Sequence, residues 1–365
     1  YNAVRRMVPT NVVPVNGAPV VTMSEARNYN PDLRWETRAT FNVGAEAALW
    51  DSRLILTVAY YHAVTRDMLY EYEVPVPPFV YNKLLANNGT LSNDGWELGL
   101  GASLLRTRDW GVDVNANLTV QRSRLRSLGG ACLGMQLTAP RITPIGGMEL
   151  GAGFHGGNNN VLYQIVGQPL GVFYLPKSTG LELQPDGSRR YEIEDLDHNG
   201  RINVEDGGDR YVAGQATPKV MLGSNIAVRY KNWDLTMQIN GAFGHKIFNA
   251  TALAYMNMTS FPDYNVMRGA PQQNIKDQNV TDYWLEKGDY VNVDYITLGW
   301  NVPLRSRVIQ GLRLSCSVNN PWTFTAYSGL TPMINSHVVN ATIGMDDKRS
   351  YPVYRTFSMG VNVQF

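Results

Sequence analysis

No apolar run in this 365-residue sequence approaches the ~18 residues that a membrane-spanning helix needs, which excludes a helical membrane protein. Cysteine is nearly absent. Cys132 and Cys316 lie far apart in no metal-binding spacing, which argues against a disulfide-built or zinc-built scaffold. One bridge between them would need an oxidising compartment, and the apolar phase of Cys316 favours a small buried or lipid-facing residue instead. The histidines His62, His155, His198, His245 and His337 are dispersed without zinc spacing. There is no G-x-S-x-G elbow, phosphate-binding loop or dinucleotide fingerprint, and the acids Glu192 and Glu194 mark no cleft, so an enzyme is not expected. A net charge of +1 with no basic stripe argues against nucleic acid as a partner. The N-terminus carries neither an initiator Met nor a basic-plus-apolar leader, so the chain reads as a fragment or a processed product.

What is present is a folded composition, 44% hydrophobic, whose apolar residues are spread in alternation. From Trp110 the residues Val112, Val114, Ala116, Leu118 and Val120 share one face, and Asp113, Asn115, Asn117, Thr119 and Gln121 share the other. The same contrast returns at Trp233, Leu235, Met237 and Ile239, and again at Leu312, Leu314, Cys316 and Val318. It returns last at Phe357, Met359, Val361, Val363 and Phe365. Weaker versions run through 39–49, 54–60, 96–104 and 220–230, and 290–302 changes phase near Tyr295, where a bulge is expected. Segments of roughly ten residues suit tilted membrane strands, but a soluble β-sandwich alternates in the same way.

Turn lengths separate these readings. Connections at 50–52, 107–109 and 231–232 are tight, whereas 67–93, 125–218, 246–289 and 326–352 are long. Short turns at one end and long loops at the other are the habit of outer-membrane barrels. Trp50, Trp110, Trp233 and Trp300 fall at the short-turn ends, and Trp35 and Trp96 near the long-loop ends, as two aromatic girdles require. The expected fold is all-β: a transmembrane antiparallel β-barrel portion with eight clear strands. The stretch 161–212, including Gly171-Val172-Phe173-Tyr174, is expected to add two more or none. In this topology the chain starts in an external loop and its last strand, closing on Phe365, ends at the periplasmic face.

These segments occur with a succession of short motifs. They include Asn30-Pro31-Asp32-Leu33-Arg34-Trp35-Glu36, Thr65-Arg66-Asp67-Met68-Leu69, and Asn87-Asn88-Gly89 followed by Asn93-Asp94-Gly95-Trp96-Glu97-Leu98. Gly167-Gln168-Pro169-Leu170-Gly171-Val172-Phe173-Tyr174, Thr217-Pro218-Lys219 and Tyr230-Lys231-Asn232-Trp233-Asp234-Leu235 come next. Gly288-Asp289-Tyr290-Val291, Tyr295-Ile296-Thr297-Leu298-Gly299-Trp300 and Asn319-Asn320-Pro321-Trp322 complete the order. Together they resemble the C-terminal portion of the SusC/RagA family of TonB-dependent outer-membrane transporters, over nearly the whole chain. The resemblance implies that 1–365 supplies the last eight to ten strands of a 22-stranded barrel in the outer membrane of a Gram-negative bacterium. The signal peptide, the plug and the TonB-contacting segment would lie outside it. It also implies import of oligosaccharides or peptides, energy from the TonB complex, and a SusD-like surface lipoprotein as lid. The lipid bilayer is the remaining partner, and no organic cofactor is implied.

One long connection carries cation chemistry. In Asp195-Leu196-Asp197-His198-Asn199-Gly200-Arg201, the oxygens of Asp195, Asp197 and Asn199 alternate, Gly200 supplies a sharp turn and Arg201 a carbonyl. Asp206 takes the last position, where a longer bidentate Glu is usual, so a weaker calcium site is expected. No helices flank the loop, and its expected work is to stiffen it. The family carries a similar D-x-[DN]-x-[DN]-G element. Aromatic segments at 79–81, 255–264 and 322–327 suit packing better than sugar stacking, and no substrate-contacting residue is assigned. The rival readings are a siderophore or other small-solute receptor, a passive porin-like barrel and a soluble carbohydrate-binding module.

Overall fold

The computed structural model describes residues 3–138, 142–147, 160–205, 207–305, 308–334, 343–346 and 351–365. Nine strands form one antiparallel sheet in which every strand pairs with its neighbours in sequence. They are β1 (Thr37–Leu49), β2 (Leu54–Glu73), β3 (Lys83–Arg106), β4 (Trp110–Ser127), β5 (Val220–Tyr230), β6 (Trp233–Phe243), β7 (Tyr290–Asn301), β8 (Gly311–Thr325) and β9 (Thr356–Gln364). Among the described residues the count is nine, one more than the eight clear strands and within the eight to ten that the resemblance implies. An odd number is what a chain entering from the long-loop side and leaving at the short-turn side requires.

Register puts like with like across this wall. Leu118 stands opposite Leu98 on one side and Leu222 on the other, and Ile296 stands between Met237 and Val318. Because side chains alternate at every residue, one aligned pair fixes the face of the whole strand. One face is therefore apolar from Phe41 to Phe357, and the other carries Asn42, Asn115, Asn117, Asn225, Gln238 and Ser317. The outward run from Trp110 to Val120 covers about 33 Å along the strand. A barrel strand's tilt reduces that to roughly the 25 Å of an apolar membrane band. Aromatics mark its edges: Trp233 stacks on Trp300 with centroids 5.2 Å apart, Trp110 meets Tyr230, and Tyr60 meets Trp96. The phase change near Tyr295 is a bulge. Asp294 is the extra residue between Val293 and Tyr295, and Asn240 and Asn292 donate to its carboxylate.

The long connections are themselves folded. The connection at 67–93 is mostly strand, with β2 and β3 continuing as a hairpin to a tip at 74–82. The stretch 161–212 adds no strand to the wall. Ile142–Gly147, Asn160–Ile165, Val172–Pro176 and Arg210–Gln215 form a separate four-stranded sheet, beside a hairpin of Ser178–Leu183 and Arg189–Ile193. Val172–Pro176 is buried at every position, on both faces, so it cannot be a half-exposed membrane strand. A third small sheet joins Lys246–Asn249, Leu285–Lys287 and Met345–Asp346, and the short helix Ala250–Tyr255 follows its first strand. Phe173, Leu175, Phe248, Leu253, Ile275 and Met345 form the buried core of this cap. The cysteines are free: Asn30 donates to the Cys132 thiol, and Cys316 lies exposed on the apolar face of β8. Of the aromatic segment 322–327, Trp322 and Phe324 belong to the upper end of β8 and are exposed, whereas Tyr327 is buried.

Candidate functional site

The cap places the candidate cation loop. Asp195 accepts the backbone N–H groups of Asn199 (3.2 Å) and Gly200 (2.8 Å), and Asp197 accepts that of Asn199 (3.1 Å). Gly200 has φ +78°, and His198 also adopts positive φ, so the chain turns sharply enough to bring the first two acids together. Asn199 lies between them: its amide donates to Asp197, and its Oδ1 accepts the N–H of Arg201 at 2.8 Å. Arg201 thus joins the loop through its N–H, next to the carbonyl assigned to it from the sequence. Asp206 lies outside the described residues.

The third carboxylate of the cluster is Asp209, which the motif spacing missed. One carboxylate oxygen from each of Asp195, Asp197 and Asp209 lies within 4.8 Å of the other two. Asp209 is fully buried and accepts N–H groups from Leu196 (2.8 Å) and Asn203 (2.7 Å). The sequence signal was present but weak: an acid directly before a strand, after two glycines. A fixed twelve-position template stops three residues short of it. Three hard oxygen donors converging beside an Asn amide suit a hard cation such as calcium. Backbone N–H bonds, the Gly200 N–H first, hold the Asp195 carboxyl below the usual carboxylate range.

The loop is attached to the cap core through the next residue. The Arg210 guanidinium donates to the Tyr163 hydroxyl at 2.7 Å, the Tyr174 carbonyl at 3.1 Å and the Val204 carbonyl at 2.8 Å. It also stands 5.7 Å from the centre of the Tyr163 ring. Ordering of the loop therefore reaches the four-stranded sheet directly. Elsewhere in the cap, Tyr327 donates to Asp346 at 2.7 Å, and Asn249, Glu286 and Ser328 share hydrogen bonds. The Tyr327 hydroxyl is raised by burial and by the Asp346 carboxylate.

Below the cap, the inward face of the wall is polar and close-fitting. Gly223 faces Asn117, whose Oδ1 would lie 2.4 Å from an added Cβ, so the glycine makes room for the amide to lie flat. Tyr61 covers Gly95 in the same manner. Near the short-turn end, Arg313 pairs with Asp234 through both of its terminal nitrogens. Such a wall suits contact with polar solutes or with protein packed inside a barrel.

A one-faced apolar sheet with aromatic edges, a polar inner face and a folded cap at the long-loop end defines part of an outer-membrane β-barrel. The profile of the family described as TonB dependent receptor-like, beta-barrel, matches residues 9–321. The chain belongs to that family, and so to the outer membrane of Gram-negative bacteria. It is 29% identical to TonB-dependent receptor P3 of Formosa agariphila, over 92% of this chain and 35% of the relative. It is 22% identical to TonB-dependent receptor SusC of Bacteroides thetaiotaomicron, over 96% of this chain and 34% of the relative. The fold matches the RagAB peptide importer in its open-open state with a TM-score of 0.76 at 19% identity, over all of this chain and 38% of the other. The chain spans about a third of the length of these curated relatives.

Proposed function

We propose that this chain is the C-terminal barrel wall and extracellular cap of a TonB-dependent nutrient importer that takes up oligosaccharides or peptides beneath a SusD-like lipoprotein. The observation that carries the reading is the folded cap, supported by membership of the TonB-dependent receptor-like barrel family and by similarity to a SusC. Long external loops are common to outer-membrane barrels, but this cap has its own sheets and core and presents exposed Phe261, Tyr264 and Leu330 to a partner. Energy coupling belongs to the remaining two thirds of such a protein.

Within the cap, the loop of Asp195, Asp197, Asn199 and Asp209 holds a calcium ion, with Arg201 offering its carbonyl. The convergence of three carboxylates supports this reading. The ion's work is structural: it neutralises clustered charge and stiffens the segment ahead of Arg210.

The test of the import reading is extraction of membranes in mild detergent with an affinity tag on the full-length transporter. A surface lipoprotein should co-purify in near-equal amount, and disruption of the transporter should abolish growth on one glycan or peptide source. Recovery of the barrel alone, with growth unchanged on every such source, would overturn it.

A further inference from the structure

Where β4 rises past β5, the wall has a notch. The last ladder tie between them is Gln121 N–H to the Lys219 carbonyl, and the next backbone-to-backbone tie on that edge is Leu125 N–H to the Gln168 carbonyl of the cap. Between these ties lies a cavity of about 740 Å³, bounded by β4, the cap and the chain around His245. Its lining is strongly cationic, with Arg122, Arg124, Lys219, Lys246 and Lys287 all along it, Arg124 also donating through Nε to the Gly167 carbonyl at 3.1 Å. Among the described residues Asp289 is the one acid of the lining, and its carboxylate already accepts the Gly244 N–H at 2.7 Å.

Three further observations suit the cavity to an anionic ligand. Lys246 and Lys287 stand directly opposite each other on paired strands, an arrangement that repels unless something between them is negative. The Lys246 stem passes so close to Gly214 that an added Cβ would lie 2.8 Å from its Cδ, so the backbone has made room for it. His245, only 8% exposed, lines the cavity, and its Nδ1 has no hydrogen-bond partner among the described residues.

Location identifies the chemistry. Val120 is the last outward apolar residue of β4, at the level of Trp96, and Arg122 and Arg124 continue the outward phase above it. Asp94, directly across from Arg122, is engaged by His62. The guanidiniums therefore stand at the height of lipid headgroups, just above the aromatic girdle. We propose that this cavity binds a phosphate-bearing group, in the first place the phosphorylated headgroup of an outer-leaflet lipid. Guanidinium forks and ammonium groups are the donors that match phosphate, and the cavity is far larger than a free phosphate needs. A lipid held there would tie the cap to the membrane surface beside the wall.

The test titrates the purified transporter in neutral detergent with dihexanoyl phosphatidic acid, dihexanoyl phosphatidylcholine and inorganic phosphate, each by calorimetry. Phosphatidic acid should bind, phosphatidylcholine should not, and Arg122→Gln with Lys246→Gln should weaken binding about tenfold or more. The charge-keeping pair Arg122→Lys with Lys246→Arg should retain it, and Lys231→Gln at a short turn should change nothing. Heat-modified gel migration checks that each variant is folded. Equal binding of inorganic phosphate, lost in the same double variant, would support the phosphate site with a soluble source. Absence of binding by both phosphate probes, or binding unchanged in a folded double variant, would overturn the proposal.

Discussion

In the wall, Leu118 sits between Leu98 and Leu222 on a face that folding leaves uncovered; in the cap, Phe173 is completely buried among Leu162, Leu175 and Phe248. The wall's outward residues are at most half-buried, as Val112, Val114 and Leu118 are, and rise to 73% exposure at Phe357 and 90% at Met359 on the last strand. Lipid has to supply the contacts that the cap finds within itself. The wall is thus held by backbone ladders and by the membrane, whereas the cap has a water-excluding core of the ordinary kind. The two parts should respond to opposite insults.

The largest effect is expected in the cap core. Phe173→Ala removes a fully buried ring and should cost about 3–5 kcal/mol locally. Protease should then cut the cap while heat-modified migration of the wall is kept; loss of both together would mean the parts are not separable. Next is the wall: Leu118→Arg, at mid-height on the outward face, should cost about 2–4 kcal/mol by denaturant unfolding in vesicles, and Asn117→Arg, one residue away but inward, much less. A smaller effect is expected at the cation loop. Asp209→Asn should weaken calcium uptake by calorimetry and remove any calcium protection of residues 195–205 from protease, leaving the wall unchanged.

The smallest effect concerns pH. Burial holds the His245 imidazole below its ordinary value of 6.5, partly offset by Asp289, so the unfolded cap binds a proton there more readily than the folded one. Stability from this group is present above pH 6.5 and is lost as pH falls through the lower folded value. Protease resistance of the cap should fall over that range, and His245→Phe should flatten the profile.

The same contrast explains what could be read from the sequence. The wall was legible because alternation is local: Trp110 to Val120 declares its two faces within one segment, and Tyr295 betrays its bulge by a phase change. The tight turns and the tryptophans then fixed orientation. The cap was not legible because its strands are short and find partners far along the chain. Phe248 pairs with Met345 across nearly a hundred residues, and Arg210 reaches back to Tyr163. Its most buried strand, Val172–Pro176, has no alternation to report. Asp195 and Asp197 were found because a motif spaces them closely; Asp209 was missed because a turn beginning at Gly207, not a fixed spacing, carries it back.

The most direct test of the account is a spin-label scan of residues 110–121 in vesicles, with Cys132 and Cys316 first replaced by Ser. Oxygen, which concentrates in lipid, should relax labels at Val112, Val114, Ala116 and Leu118 most strongly. A polar nickel reagent should favour Asp113, Asn115, Asn117 and Thr119. A two-residue alternation of opposite sign for the two reagents is the expected result. Uniform access of the nickel reagent along the whole segment would contradict a membrane wall.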